Sequence, residues 1–145
     1  MLPKTHIILG AIFSIIIWII FPEINLIYLS LIFLSSFLID VDHYLAYVFE
    51  TKNLSLKKAF DYHIMLDKLE IAERAKGIKR KGPFHVFHTF EFLLAVYLVS
   101  LIWTPILYIL IGMLFHSALD IISLINLRTL YRREFFLTNW IIKKF

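Results

Sequence analysis

The 145-residue chain contains no cysteine. Thiolate is thereby excluded as a metal ligand, so any metal must be held by nitrogen and oxygen, and the redox compartment is left open. No internal repeat and no low-complexity stretch occurs, and the length suits one domain. No small-residue cleavage site borders the first apolar run. The residues after it are FPEIN, so that run reads as a retained span and not as a signal peptide. A soluble composition is missing too. Hydrophobic residues make up 60% of the chain and aromatic residues 17%, against roughly 45–50% apolar residues in soluble domains. The chain is expected to be a membrane protein.

Four runs read as transmembrane helices, at about 3–21, 24–43, 84–103 and 105–127, which predicts an all-α polytopic domain over 1–145. The apolar cores of the first two are short of the roughly 20 residues a bilayer asks for, and flanking residues complete them. Lys and Arg orient the spans. Lys4 precedes the apolar core of the first, nine lie between the second and third, five come after the fourth, and the connections at Pro22–Glu23 and Thr104–Pro105 carry none. By the positive-inside rule both termini and residues 50–82 are expected on the cytoplasmic side of the cell membrane. Ser55 as an N-cap, with Leu56, Phe60 and Ile64 at intervals of four, predicts an amphipathic helix over 55–76 between spans two and three. GIKRKGP ends it, and residues 128–145 mix basic and aromatic side chains as an interfacial tail does. Membrane lipids are the expected partners and nucleic acid is not. Homo-oligomerisation is left open.

Each span carries metal-binding residue types towards its cytoplasmic end. His6 opens the first, Asp40, Asp42 and His43 close the second, His85, His88 and Glu91 open the third, and His116 and Asp120 lie in the inner half of the fourth. Asp40 and His43 are three apart, as are His85, His88 and Glu91, while His116 and Asp120 are four apart. Each set therefore shares one face of a continuous helix. Asp42 is rotated by about 200° from Asp40 on such a helix and joins only if the helix frays, or else supports the ligands from behind. Ionisable groups inside a membrane are costly and normally face the bundle interior, where they pair or bind ions. Imidazole with carboxylate suits zinc first, then manganese or iron. Glu91 aside, these eight candidates exceed the four ligands of an ordinary zinc site, which fits either a dinuclear site or one metal with many supporting residues. His63, in the cytoplasmic helix, is read as outside this cluster.

Thr5, His6 and Gly10, then DVDH over 40–43, then His85, His88 and Thr89, then His116 and Asp120 together resemble a known family. This is the YdjM-like or DUF457-like group of small integral-membrane metal-dependent hydrolases. The resemblance covers residues 5–120, with HVFHTFE at the third station where members often carry HRGxTHS. It implies hydrolase activity on an unassigned substrate.

The leading expectation is a membrane-embedded metal-dependent hydrolase acting on a lipid or other membrane-associated ester or phosphoester at the cytoplasmic face. Its metal ligands are drawn from His6, Asp40, His43, His85, His88, His116 and Asp120. Asp42 or Glu91 accepts the proton of the attacking water. Lys79, Arg80 and Lys81 are candidates for holding an anionic head group, beside their role in orienting the spans. The alternatives are a non-catalytic or structural metal-binding protein, a cation transporter, and a haem protein using His88 and His116. Transport is disfavoured by the lack of carboxylates in the outer half of the spans, and haem by leaving three aspartates without a role.

Overall fold

The computed structural model describes residues 3–144, and within them the chain is helical with no β-strand. Seven helices succeed one another: α1 (Pro3–Ile20), α2 (Leu26–Leu38), α3 (Val41–Thr51), α4 (Leu56–Ala75), α5 (Phe90–Ser100), α6 (Thr104–Asn126) and α7 (Leu137–Lys144). Short 3-10 turns occupy Val86–His88 and Leu130–Arg132. The extreme ends expected in the cytoplasm, residues 1, 2 and 145, lie outside the described residues.

Local chemistry explains the helix ends. The Asn25 side chain caps α2 by accepting the Ile27 N–H at 2.8 Å, and Pro105 sits in the first turn of α6, where a missing N–H costs nothing. Gly77, at φ +72°, ends α4 with Ile78 N–H bonded to Glu73 O at 2.9 Å and Gly77 N–H to Arg74 O at 3.0 Å, the paired bonds of a Schellman turn. The end of α6 repeats that pattern with Arg128 at φ 57°, so an arginine occupies the left-handed position usually given to glycine. This reversal sends the tail back over the bundle.

Two helices are long and apolar enough to cross a membrane: the nearly continuous Leu26–Thr51 run, 26 residues, and α6, 23 residues. At 1.5 Å per residue they reach about 39 and 34 Å, beyond the roughly 30 Å of hydrocarbon. Helices α1 and α5 are apolar but shorter. The third expected helix differs most. It begins at Phe90, not near 84, because the Thr89 hydroxyl accepts the Phe92 N–H and caps α5. Residues 84–89 are therefore not α-helical, and α5 covers only about 16 Å. The helix expected over 55–76 forms as α4 with its Ser55 cap, but it is not amphipathic. Leu56, Phe60 and Ile64 project on one side and Met65 and Leu69 on another, all exposed, while Ala59 and Glu73 are buried.

Helix α6 is central. α2 and α5 pack along it, and α1 lies against α2 and α6. Small residues set the closest approach: Gly112 of α6 and Gly10 of α1 lie so near Ser35 and Ser36 of α2 that a Cβ on either would meet a serine hydroxyl. Polar side chains fill the interior. Among the described residues eleven buried side chains are polar and seven apolar, while apolar side chains such as Ile19, Leu26 and Ile102 stand exposed. This inversion of the soluble pattern suits a hydrocarbon surrounding.

Candidate metal centre

The turn joining α2 to α3 is wound more tightly than an α-helix. Asp40 N–H bonds to Phe37 O, Asp42 N–H to Ile39 O and His43 N–H to Asp40 O, each three residues back. At about three residues per turn, residues 40 and 43 eclipse and residue 42 points elsewhere. His43 Nε2 accordingly lies 3.4 Å from Asp40 Oδ1. Asp42 turns instead to the 84–89 segment, where its Oδ2 accepts the Phe87 N–H at 2.6 Å and faces His88 Nδ1 at 3.3 Å. The Thr89 hydroxyl donates to Val86 O at 2.8 Å and fastens the 3-10 turn that carries His88.

On α6, His116 and Asp120 share a face with Nε2 and Oδ2 3.6 Å apart. His6 of α1 stacks on the His116 ring at 3.9 Å between centroids, and its Nε2 lies 3.3 Å from Asp120 Oδ1. His116 Nε2 is 3.4 Å from Asp40 Oδ1 and 3.1 Å from His88 Nε2. His88 Nε2 is 3.9 Å from both Asp40 Oδ1 and Asp120 Oδ2. Three overlapping sets thus bring their ligand atoms within 4.8 Å of one another: His6, Asp40 and His116; Asp40, His43 and His88; and His88, His116 and Asp120. These buried His and Asp clusters could hold a metal ion.

Hydrogen bonds settle which way the rings present their lone pairs. His116 Nδ1 stands 2.9 Å from the carbonyl of Ser36, and His88 Nδ1 faces the Asp42 carboxylate. Both partners only accept, so each neutral ring holds its proton on Nδ1 and turns a bare Nε2 inward. Two such lone pairs 3.1 Å apart repel unless a positive charge lies between them. The donor set therefore fits a divalent cation, and these separations of 3.1–3.9 Å are near the roughly 3.3 Å between two ligand atoms that share a zinc ion at 2.0–2.1 Å. His6 is buried, and neither of its ring nitrogens makes a hydrogen bond among the described residues, which suits a ligand. Access is from one side: the side chains of His43 and Asp40 are 35% and 19% exposed, against 0–1% for His6, His88 and His116.

Other expected site residues fall elsewhere. His85 belongs to none of the three ligand sets. Its ring lies 4.0 Å from His43, and its buried Nδ1 has no hydrogen-bond partner among the described residues. Glu91 does not share a face with His85 and His88, because Thr89 restarts the helix between them. Its carboxylate caps α7, accepting the Leu137 N–H at 2.9 Å, the Thr138 N–H at 3.1 Å and the Thr138 hydroxyl at 2.9 Å. Lys79 lies 5.8 Å from the Tyr131 ring, Arg80 pairs with Glu73 at 3.1 Å, and Lys81 reaches Glu134 at 3.5 Å and donates to Arg133 O at 3.2 Å. All three already have protein partners.

Two residues outside the expected set touch the cluster. His63 of α4 donates from Nε2 to the His43 carbonyl at 3.0 Å. Burial lowers its pKa below the ordinary histidine value, outweighing that hydrogen bond. Arg133, from the tail, places Nη2 2.7 Å from Asp120 Oδ2. No family model, curated protein or solved structure matches the chain.

Proposed function

We propose that the chain is a membrane-embedded, metal-dependent hydrolase of the YdjM-like kind, acting on a membrane-associated ester or phosphoester at the cytoplasmic face. The observation that carries this reading is the inward-facing Nε2 pair of His88 and His116 among the carboxylates of Asp40 and Asp120. His6, Asp40 and His116 would hold a cation on the buried side and Asp40, His43 and His88 one on the exposed side, while the third set, His88, His116 and Asp120, joins the two. A bound divalent zinc, manganese or iron ion would supply Lewis acidity there and would lower the pKa of water towards 7. The chain's own residues do the rest. Asp42 and the Ser36 carbonyl hold the two imidazoles in the required tautomer, and the edge formed by Asp40 and His43 admits substrate. Asp42, so engaged, acts on His88 and not on water.

The four apolar units, with α2 and α3 counted as one, are proposed to cross the membrane with α4 and the tail in the cytoplasm. The concentration of Lys and Arg in that loop and tail supports this. Their mutual attachment does too: Arg132 pairs with Glu70 at 3.1 Å, and Gly82 N–H bonds to Arg132 O at 2.9 Å. The non-helical segment 84–89 completes the short third unit. Such backbone is tolerated at membrane depth where it is covered by protein or lines a site, as it does beside Asp42.

A single structural cation is the second reading, favoured by the fully buried set of His88, His116 and Asp120. Haem is disfavoured, since Nε2 atoms 3.1 Å apart leave no slot for a porphyrin. Protein purified in detergent without added metal, analysed by elemental mass spectrometry and assayed on phospholipids and membrane-soluble esters and phosphoesters, tests the proposal. About two cations per chain with turnover are expected. One cation with no turnover across the panel would establish the structural reading instead.

A further inference from the structure

We propose that Arg133 is the residue with which this site grips a phosphate group, so that the substrate is a phosphoester and not a carboxyl ester. The inference rests on the metal-dependent reading above and narrows it. Arg133 lies 13 positions beyond Asp120, yet its guanidinium meets the carboxylate oxygen that also faces the ligand nitrogens of His116 and His88, at 3.6 and 3.9 Å. It therefore stands at the rim of the cluster, with its side chain 13% exposed.

A guanidinium has five N–H donors in a planar fork, and this one makes a single hydrogen bond among the described residues, to Asp120. The other donors are available to a ligand. A cation bound by Asp120 competes with Arg133 for the same oxygen and repels it. An anion placed between the two removes that repulsion, and two phosphate oxygens match the guanidinium fork. A neutral carboxyl ester does neither. Lys79, Arg80 and Lys81 are engaged by Tyr131, Glu73 and Glu134, whereas the Arg133 guanidinium contacts a cluster carboxylate directly.

The test is calorimetric titration of inorganic phosphate, with acetate as the comparison anion, into metal-loaded full-length protein in detergent. Metal content is measured in every sample. Wild type should bind phosphate in preference to acetate. Arg133→Gln should keep its metal and lose phosphate affinity by roughly 10-fold or more. Arg133→Lys, which keeps a charge beside Asp120 but not the fork, should keep the metal and bind phosphate with intermediate affinity. A parallel arm with micelles containing phosphatidic acid separates a lipid phosphate from a soluble one, the tighter arm naming the source. Metal-loaded wild type that ignores phosphate in both arms would overturn the proposal while leaving a metal-dependent carboxylesterase standing, as would Arg133→Gln or Arg133→Lys matching wild type. Wild type without metal would remove both readings.

Discussion

Asp42 offers the sharpest perturbation, because one buried oxygen performs two tasks. Asp42 Oδ2 accepts the Phe87 N–H at 2.6 Å and orients His88 through Nδ1 at 3.3 Å. In Asp42→Asn an amide oxygen can still occupy that position, but the bonds lose the charge assistance that roughly doubles their strength. In Asp42→Ala nothing accepts either group. The Phe87 N–H is left without its partner, at a cost of about 1–3 kcal/mol, and the His88 ring is free to put its proton on Nε2, where it blocks the lone pair. Loss of a residue that orients a metal-bound histidine typically weakens metal affinity 10- to 100-fold, or about 1.4–2.7 kcal/mol. Asn is expected near the lower end and Ala near the upper. Chelator competition against purified protein measures both, with circular dichroism checking that the helices persist. If the folded Ala variant holds metal as tightly as wild type, His88 does not depend on Asp42, and the argument from its tautomer fails.

Neighbouring contacts carry other expectations. Gly112→Ala should destabilise the protein by about 1–3 kcal/mol and weaken metal binding, because the new methyl group meets α2 backbone and pushes away the Ser36 carbonyl that holds His116; denaturant titration and metal competition read the two effects. Gly10→Ala should cost less, since its obstacle is chiefly the Ser36 hydroxyl, which can rotate. Glu91→Gln should leave metal content unchanged and loosen α7 by about 0.5–2 kcal/mol, seen as faster hydrogen exchange over 137–144. An impermeant thiol reagent applied to intact cells should label a cysteine placed at Glu23 and spare one at Lys57; the reverse pattern would refute the proposed orientation.

The parts of this site that could be read from the sequence are those governed by local helical geometry. His116 and Asp120 are four apart inside a continuous helix and do share a face. His6 needed only the knowledge that α1 packs against α6 near its end. The DVDH stretch was legible in content but not in direction, since the choice between Asp40 and Asp42 as the inward carboxylate depends on the 3-10 tightening at residues 39–43. The spacing of His85, His88 and Glu91 misled for a related reason. A threefold period means a shared face only if the helix is unbroken, and Thr89, with an acidic residue in the next turn, is an N-cap signal lying inside the period.

Arg133 and His63 belong to a different class, because no local period connects them to the ligands they touch. Arg133 reaches Asp120 only after α6 ends in a left-handed Arg128 and the chain reverses. His63 reaches the His43 carbonyl only because α3 and α4 fold against one another across the turn at 52–55. Both come from the basic segments proposed to lie in the cytoplasm, and both touch cluster residues. The other ends of the apolar helices, towards Ile20, Leu26, Ser100 and Thr104, contribute none of the cluster residues. In the proposed orientation, with buried ligands from the apolar helices and cationic or imidazole groups from the water side, such a site is suited to a substrate whose reacting group lies at the boundary and whose apolar part stays in the bilayer.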